Sequence, residues 1–190
     1  MTQTAIAPQA DQLAEASATP DPYVGETREA QALALYELIA QQPFFKGLNA
    51  THLHHLTDSA LEMRFEPGQS IFAEGSPANR FYVILKGSVV LESELADRSV
   101  IPLQTLGPGD DLGWSWLFPP YFLHFSARAL EPTTTILFYG IRLRDQCEQD
   151  HELGYQLMKR VAEVTTQRLR AMQQRLMEYI EKPGNYGGRH

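Results

Sequence analysis

Cysteine occurs once in the 190 residues, at Cys147, so no disulfide can form within the chain and nothing asks for an oxidising compartment. Long apolar runs are absent, none approaching the roughly 18 residues of a membrane-crossing helix. Residues 1–30 have neither a basic start nor an apolar stretch, which argues against a secretory signal. Basic charge is scarce too: 16 Lys and Arg stand against 23 Asp and Glu, for a net −7. A protein that coats nucleic acid usually carries the opposite sign. These absences predict a cytoplasmic chain with no membrane partner.

What is present suffices for a core. Apolar residues make up 43% and aromatics 10%, ordinary for a globular domain of this length, with or without an extension. Residues 1–28 are the exception. They are rich in Ala, Gln, Thr and Pro with few large apolar side chains, so ordering them would recover little burial, and a flexible tail is expected. From Glu29 the texture becomes helical: Leu33, Tyr36 and Ala40 recur at helical spacing, widened by Leu35, Leu38 and Ile39, until Pro43 stops the run. Asn49 can cap a second short helix carrying Leu53, Leu56, Leu61 and Met63.

Residues 64–140 hold seven of the thirteen glycines and read as strands and turns. Pro67-Gly68, Glu74-Gly75, Lys86-Gly87 and Gly107-Pro108-Gly109 punctuate them. Between these lie strand-length segments at Ser70–Ala73, Phe81–Leu85, Ser88–Glu92, Val100–Leu106 and Thr134–Phe138. This rhythm predicts roughly eight antiparallel strands in a small barrel or jelly roll. From Asp150 to the Pro183-Gly184 stop the pattern is helical again. Met158, Ala162, Thr165, Leu169, Met172, Leu176 and Tyr179 alternate steps of four and three, a heptad seam suited to a symmetric dimer. Thr165 and Ala162 weaken that seam. The organisation expected is a tail (1–28), helices plus barrel (29–149), a long dimerisation helix (150–182) and a short end (183–190).

The stretch FEPGQSIFAEGSPANRFYVILKGSVV (65–90) resembles the cyclic-nucleotide-binding domain. More closely, it resembles the effector domain of the cAMP receptor protein/Fnr family. PFFKGL (43–48) resembles the helical start of that domain, and LGPGD (106–110) the approach to its phosphate-binding cassette. The resemblance covers roughly residues 36–180. It implies a mainly β fold with flanking helices, the antiparallel β-barrel or double-stranded jelly roll of that family, followed by a dimerising C-terminal helix. It also implies a regulatory module, with no catalytic residues.

In cAMP-binding members a Gly-Glu-Leu segment supplies a carboxylate for the ribose, and an Arg neutralises the cyclic phosphate. Here the cassette reads GDDLGWSWLFPPYFLHFSARAL (109–130). Trp114 follows Gly113 where the Glu is expected, and Tyr121 or Phe122 stands near the expected Arg. Arg128 lies beyond the cassette on the returning strand. Without a cation a buried phosphate loses a charge-assisted bond, so ordinary cAMP binding is not expected and no cofactor is assigned.

An aromatic cluster stands in place of the charges: Trp114, Trp116, Phe118, Tyr121, Phe122 and Phe125, with His124 among them. It reads in three ways: as rings filling a closed pocket, as a site for an apolar or planar small-molecule effector, or as a docking patch for a protein partner. Candidate ligand-binding residues are Gly113, Trp114, Ser115, Trp116, Tyr121, Phe122, His124 and Arg168. The alternative is a genuine cAMP or cGMP receptor using cassette amides, Ser115 and Arg168 reaching down from the helix.

Other chemistry finds little support. His52, His54 and His55 share a short helix without a third ligand at metal spacing, and a solvated face is expected. Residues 68–85 contain no His, which disfavours a cupin-like metal enzyme. One cysteine cannot hold an iron–sulfur cluster. No G-x-S-x-G, Walker loop or G-x-G-x-x-G occurs. DNA-binding members append a helix-turn-helix after the long helix, and Glu181–His190 is too short for one. Direct DNA binding is therefore not expected.

Overall fold

The computed structural model describes residues 22–181, with side chains placed for residues 29–178. Of the flexible tail expected at 1–28, residues 1–21 lie outside the described residues, as does the end at 183–190, whereas residues 22–28 are helical. Helix α1 (Pro22–Gln41) starts seven residues earlier than the sequence pattern suggests. Among the described residues, helices α2 (Ala50–Thr57), α3 (Gly140–Gln149) and α4 (His151–Glu181) flank eight strands. These are β1 (Ala60–Phe65), β2 (Ser70–Phe72), β3 (Arg80–Lys86), β4 (Val89–Glu94), β5 (Val100–Leu106), β6 (Asp111–Leu112), β7 (Ser126–Ala129) and β8 (Thr133–Tyr139).

All pairings are antiparallel, in two four-stranded sheets of order β1-β8-β3-β6 and β2-β7-β4-β5. The jelly roll is as expected, but the sheets do not close into a barrel. Strands β2 and β6 are too short to bridge the two sheets continuously. Leu61 and Met63 belong to β1 rather than to the second helix. Asn49 does cap α2, its Oδ1 accepting the His52 amide at 2.8 Å.

Strand β3 shows why the apolar run RFYVILK has no polar alternation. Tyr82 and Ile84 point between the sheets, where they join Ile71, Leu91, Leu106 and Leu137. Phe81 and Val83 point the other way, into a second core shared with Phe45, Leu56, Leu153, Leu157 and Val161. Both faces are covered, so both must be apolar. Helix α3 is not anticipated by the sequence pattern, because its residues are mostly polar and only Gly140 and Leu143 are buried. Asp150 then caps α4, its Oδ1 accepting the amides of Glu152 and Leu153 at 3.0 Å.

Two different stripes run along α4. The one that packs on the sheet is Leu153, Leu157 and Val161, each at most 1% exposed. The heptad stripe lies elsewhere on the helix: Met158, Leu169 and Leu176 are 50–58% exposed, Ala162 is exposed, and Thr165 and Met172 are half-buried. The Tyr179 side chain lies outside those described.

Candidate functional site

The cassette is built on a glycine. Gly113 has φ +80°, and a Cβ there would stand 2.7 Å from the Arg80 carbonyl oxygen. Only glycine fits that close approach in the left-handed region. It turns the chain out of β6 into a single 3₁₀ turn, Trp114–Leu117. Beside the turn lies a shallow cleft whose cavity volume is about 20 Å³, room for about one water molecule and far below the usual size of a small-molecule site.

Gly113, Trp114, Ser115, His124 and Arg168 line this cleft, together with Phe72, Leu112 and Phe125. Five of the eight candidate residues are therefore brought together. The Trp114 ring stands 5.8 Å from the His124 ring and 6.4 Å from Phe118. The other three candidates go elsewhere. Trp116 is fully buried in the helix-side core, 6.0 Å from the Phe81 ring. Tyr121 has left-handed backbone (φ 60°) and lies under the Arg144 guanidinium, 4.4 Å from ring centre to Cζ. Phe122 is 47% exposed and bridges to Pro77.

The charges around the cleft are already engaged. Arg168 of α4 donates to the Asp111 carbonyl and lies 3.3 Å from the Asp111 carboxylate. Both side chains are largely buried, 11% and 4% exposed. Burial pushes the Asp111 carboxyl above its ordinary value, with Arg168 drawing it part of the way back. Arg128 pairs with Glu92 across β7 and β4, leaving it committed away from the cassette.

Two residues that sequence reasoning missed hold the site. Arg144 of α3 donates to the Trp116 carbonyl at 2.6 Å while covering Tyr121. Asp111 anchors Arg168. Neither carries a local signal, since each is one charged residue among many until the fold buries it. His52, expected on a solvated face, is 4% exposed, and its Nε2 lies 3.0 Å from Asp150 Oδ2. The fold packs α2 against the start of α4, which covers that histidine. His54 stacks on Tyr36 at 4.5 Å.

Known proteins share this fold. The family model described as a cyclic nucleotide-binding domain matches residues 62–150. A putative cyclic nucleotide-binding protein from Geobacter metallireducens is 32% identical, with a TM-score of 0.63 over 70% of this chain and 96% of its own. The N-terminal domain of a transcriptional regulator from Streptomyces coelicolor is 25% identical, with a TM-score of 0.57, over 71% of this chain and 94% of its own. A CRP-like cAMP-activated global transcriptional regulator of Mycobacterium tuberculosis is 27% identical over 76% of this chain. The chain spans 62% of the length of that curated relative.

Proposed function

Because this chain belongs to the cyclic nucleotide-binding domain family, we propose that it is a regulatory sensor module with a degenerate cassette, which admits an uncharged planar or apolar effector in place of a cyclic nucleotide only when Trp114 moves to open the cleft. One observation carries the reading. Trp114 occupies the cassette position next to Gly113, and the only cation lining the cleft among the described residues, Arg168, is held by Asp111. A cyclic phosphate entering there would meet no free guanidinium, and a ribose would meet no carboxylate. Rings at Trp114 and Phe125 offer contact area and stacking faces instead.

The signal would leave through α4. Arg168 ties the helix to the strand that leads into the cassette, so an effector that moves Trp114 biases the helix position. The exposed stripe of Met158, Leu169 and Leu176 would join a second copy and carry that bias across a dimer. No helix among the described residues is long and apolar enough to cross a membrane.

Calorimetric titration with cAMP and cGMP at physiological salt tests the reading. No saturable binding at micromolar concentration is expected. A low-micromolar dissociation constant for either would favour the second reading, a true cyclic-nucleotide receptor. That reading draws on the placement of Arg168 at the cleft wall. In that case Arg168→Gln should abolish binding, by removing the cation that Asp111 now holds.

A further inference from the structure

Helix α4 is held to the rest of the domain in two different ways along its length. Up to Val164 the contact is apolar: Leu153, Leu157 and Val161 are buried in the helix-side core, and Val164 packs against it. Beyond Val164 no described side chain of the helix belongs to either core. Two guanidinium groups take over on the same face, since Arg168 and Arg175 stand about two and four helical turns beyond Val161. Arg168 donates to the Asp111 carbonyl, beside the cassette, and Arg175 to the Leu103 carbonyl of β5. Strand β5 ends its sheet, and the β4–β5 register steps over Leu103, from Leu91–Gln104 to Glu92–Pro102. A residue bulged in this way is left unpaired in the ladder.

The change of attachment coincides with a weak point in the helix itself. Val164, Thr165 and Thr166 are three successive β-branched residues, which lose side-chain freedom against the preceding turn. Both threonine hydroxyls also bond back one turn. Thr165 Oγ1 donates to the Val161 carbonyl at 2.7 Å and Thr166 Oγ1 to the Ala162 carbonyl at 2.8 Å. Back-bonds of this kind slightly destabilise a helix and often bend it.

We propose that α4 is jointed at Thr165–Thr166. Its distal half, residues 167–178, is a strap fastened to the domain by Arg168 and Arg175, and it lifts while Leu153, Leu157 and Val161 stay seated. Arg175 is exposed, so water competes for its bond. Arg168 is the stronger tie, and both it and Asp111 regain water when the strap lifts. Lifting withdraws Arg168 from the cassette wall, which couples the joint to the cassette whatever ligand the cassette takes. A lifted segment of this length is only marginally helical by itself, so its main-chain amides report the opening.

Amide hydrogen exchange of the full chain tests the joint, read in the Leu169→Glu/Leu176→Glu variant so that pairing of two copies does not shield the helix. Exchange should step up at Thr165–Thr166, with amides at 167–178 at least about tenfold faster than those at 153–161. Arg175→Gln should speed the distal amides at least about threefold and leave the proximal ones unchanged. Thr165→Ala/Thr166→Ala removes both back-bonds and supplies better helix formers, so it should slow the distal amides at least about threefold. Uniform protection from 153 to 178, or distal rates indifferent to Arg175→Gln, would overturn the proposal. A gradual rise toward the C-terminus that the threonine variant leaves unaltered is end fraying, and overturns it equally.

Discussion

Arg168, near the middle of α4, donates a hydrogen bond to the main-chain carbonyl of Asp111 and lies 3.3 Å from its side-chain Oδ1. The helix and the strand leading into the cassette are thereby joined through one buried guanidinium. The second carboxylate oxygen, Oδ2, is buried without a protein partner. The contact is thus only partly satisfied, and removal of either partner is costly.

Stability should respond to pH through Asp111. Burial holds its folded pKa above the ordinary 3.8, so the folded protein keeps the proton longer than the unfolded chain does. Stability contributed by that group is present at low pH and is lost as pH rises through the folded value. Asp111→Asn keeps the shape and removes the titration. Urea unfolding of both proteins between about pH 4 and pH 7 should show the variant gaining on wild type as pH rises. A variant that loses ground instead would mean that Arg168 outweighs burial.

Gly113→Ala should destabilise by about 1–3 kcal/mol or more, since it adds left-handed strain to a collision with the Arg80 carbonyl. Gly75 has φ +75°, but a methyl group added there would meet nothing within 4 Å. Gly75→Ala should therefore cost only about 1 kcal/mol, the backbone contribution alone. Comparable midpoints for the two variants in denaturant unfolding would show that the cassette backbone yields easily.

Sedimentation at micromolar concentration should find the wild type dimeric. Leu169 and Leu176 are 56% and 58% exposed in a single chain, and each large side chain fully buried in an interface contributes about 1.5–3 kcal/mol before association costs. The double variant Leu169→Glu/Leu176→Glu should sediment as a monomer with unchanged circular dichroism. A monomeric wild type would remove the dimer and the signalling route through it.

Cys147 should be inert in the folded protein. Burial, with Glu148 and Asp150 nearby, pushes its thiol up to about 11. At pH 8 the reactive thiolate is then on the order of a thousandth of the population. A thiol reagent should label the native protein at least about a hundredfold more slowly than the protein in denaturant. Similar rates in both would place the cysteine at the surface.

Much of the fold was legible in local chemistry. Turn glycines at 68, 75 and 87 all take positive φ, and Val100–Leu106 is a strand with the expected bounds. The Asn49 cap could be read because capping depends only on residues a few positions apart.

The amino-acid order by itself determined the jelly-roll rhythm and the long terminal helix. Each of these follows from propensity, periodicity or residue type within a short window. Which stripe of α4 meets the sheet, which aromatics face the cleft and which cations are free were decided only by tertiary structure. Met158 and Leu157 are neighbours of like hydrophobicity, yet one is half exposed and the other buried. Arg168 and Arg80 are the same residue type, yet one is bound to Asp111 and the other is in no ion pair among the described residues. Packing assigns those roles, because burial and charge pairing depend on partners dozens of residues away, and no local pattern encodes that distance.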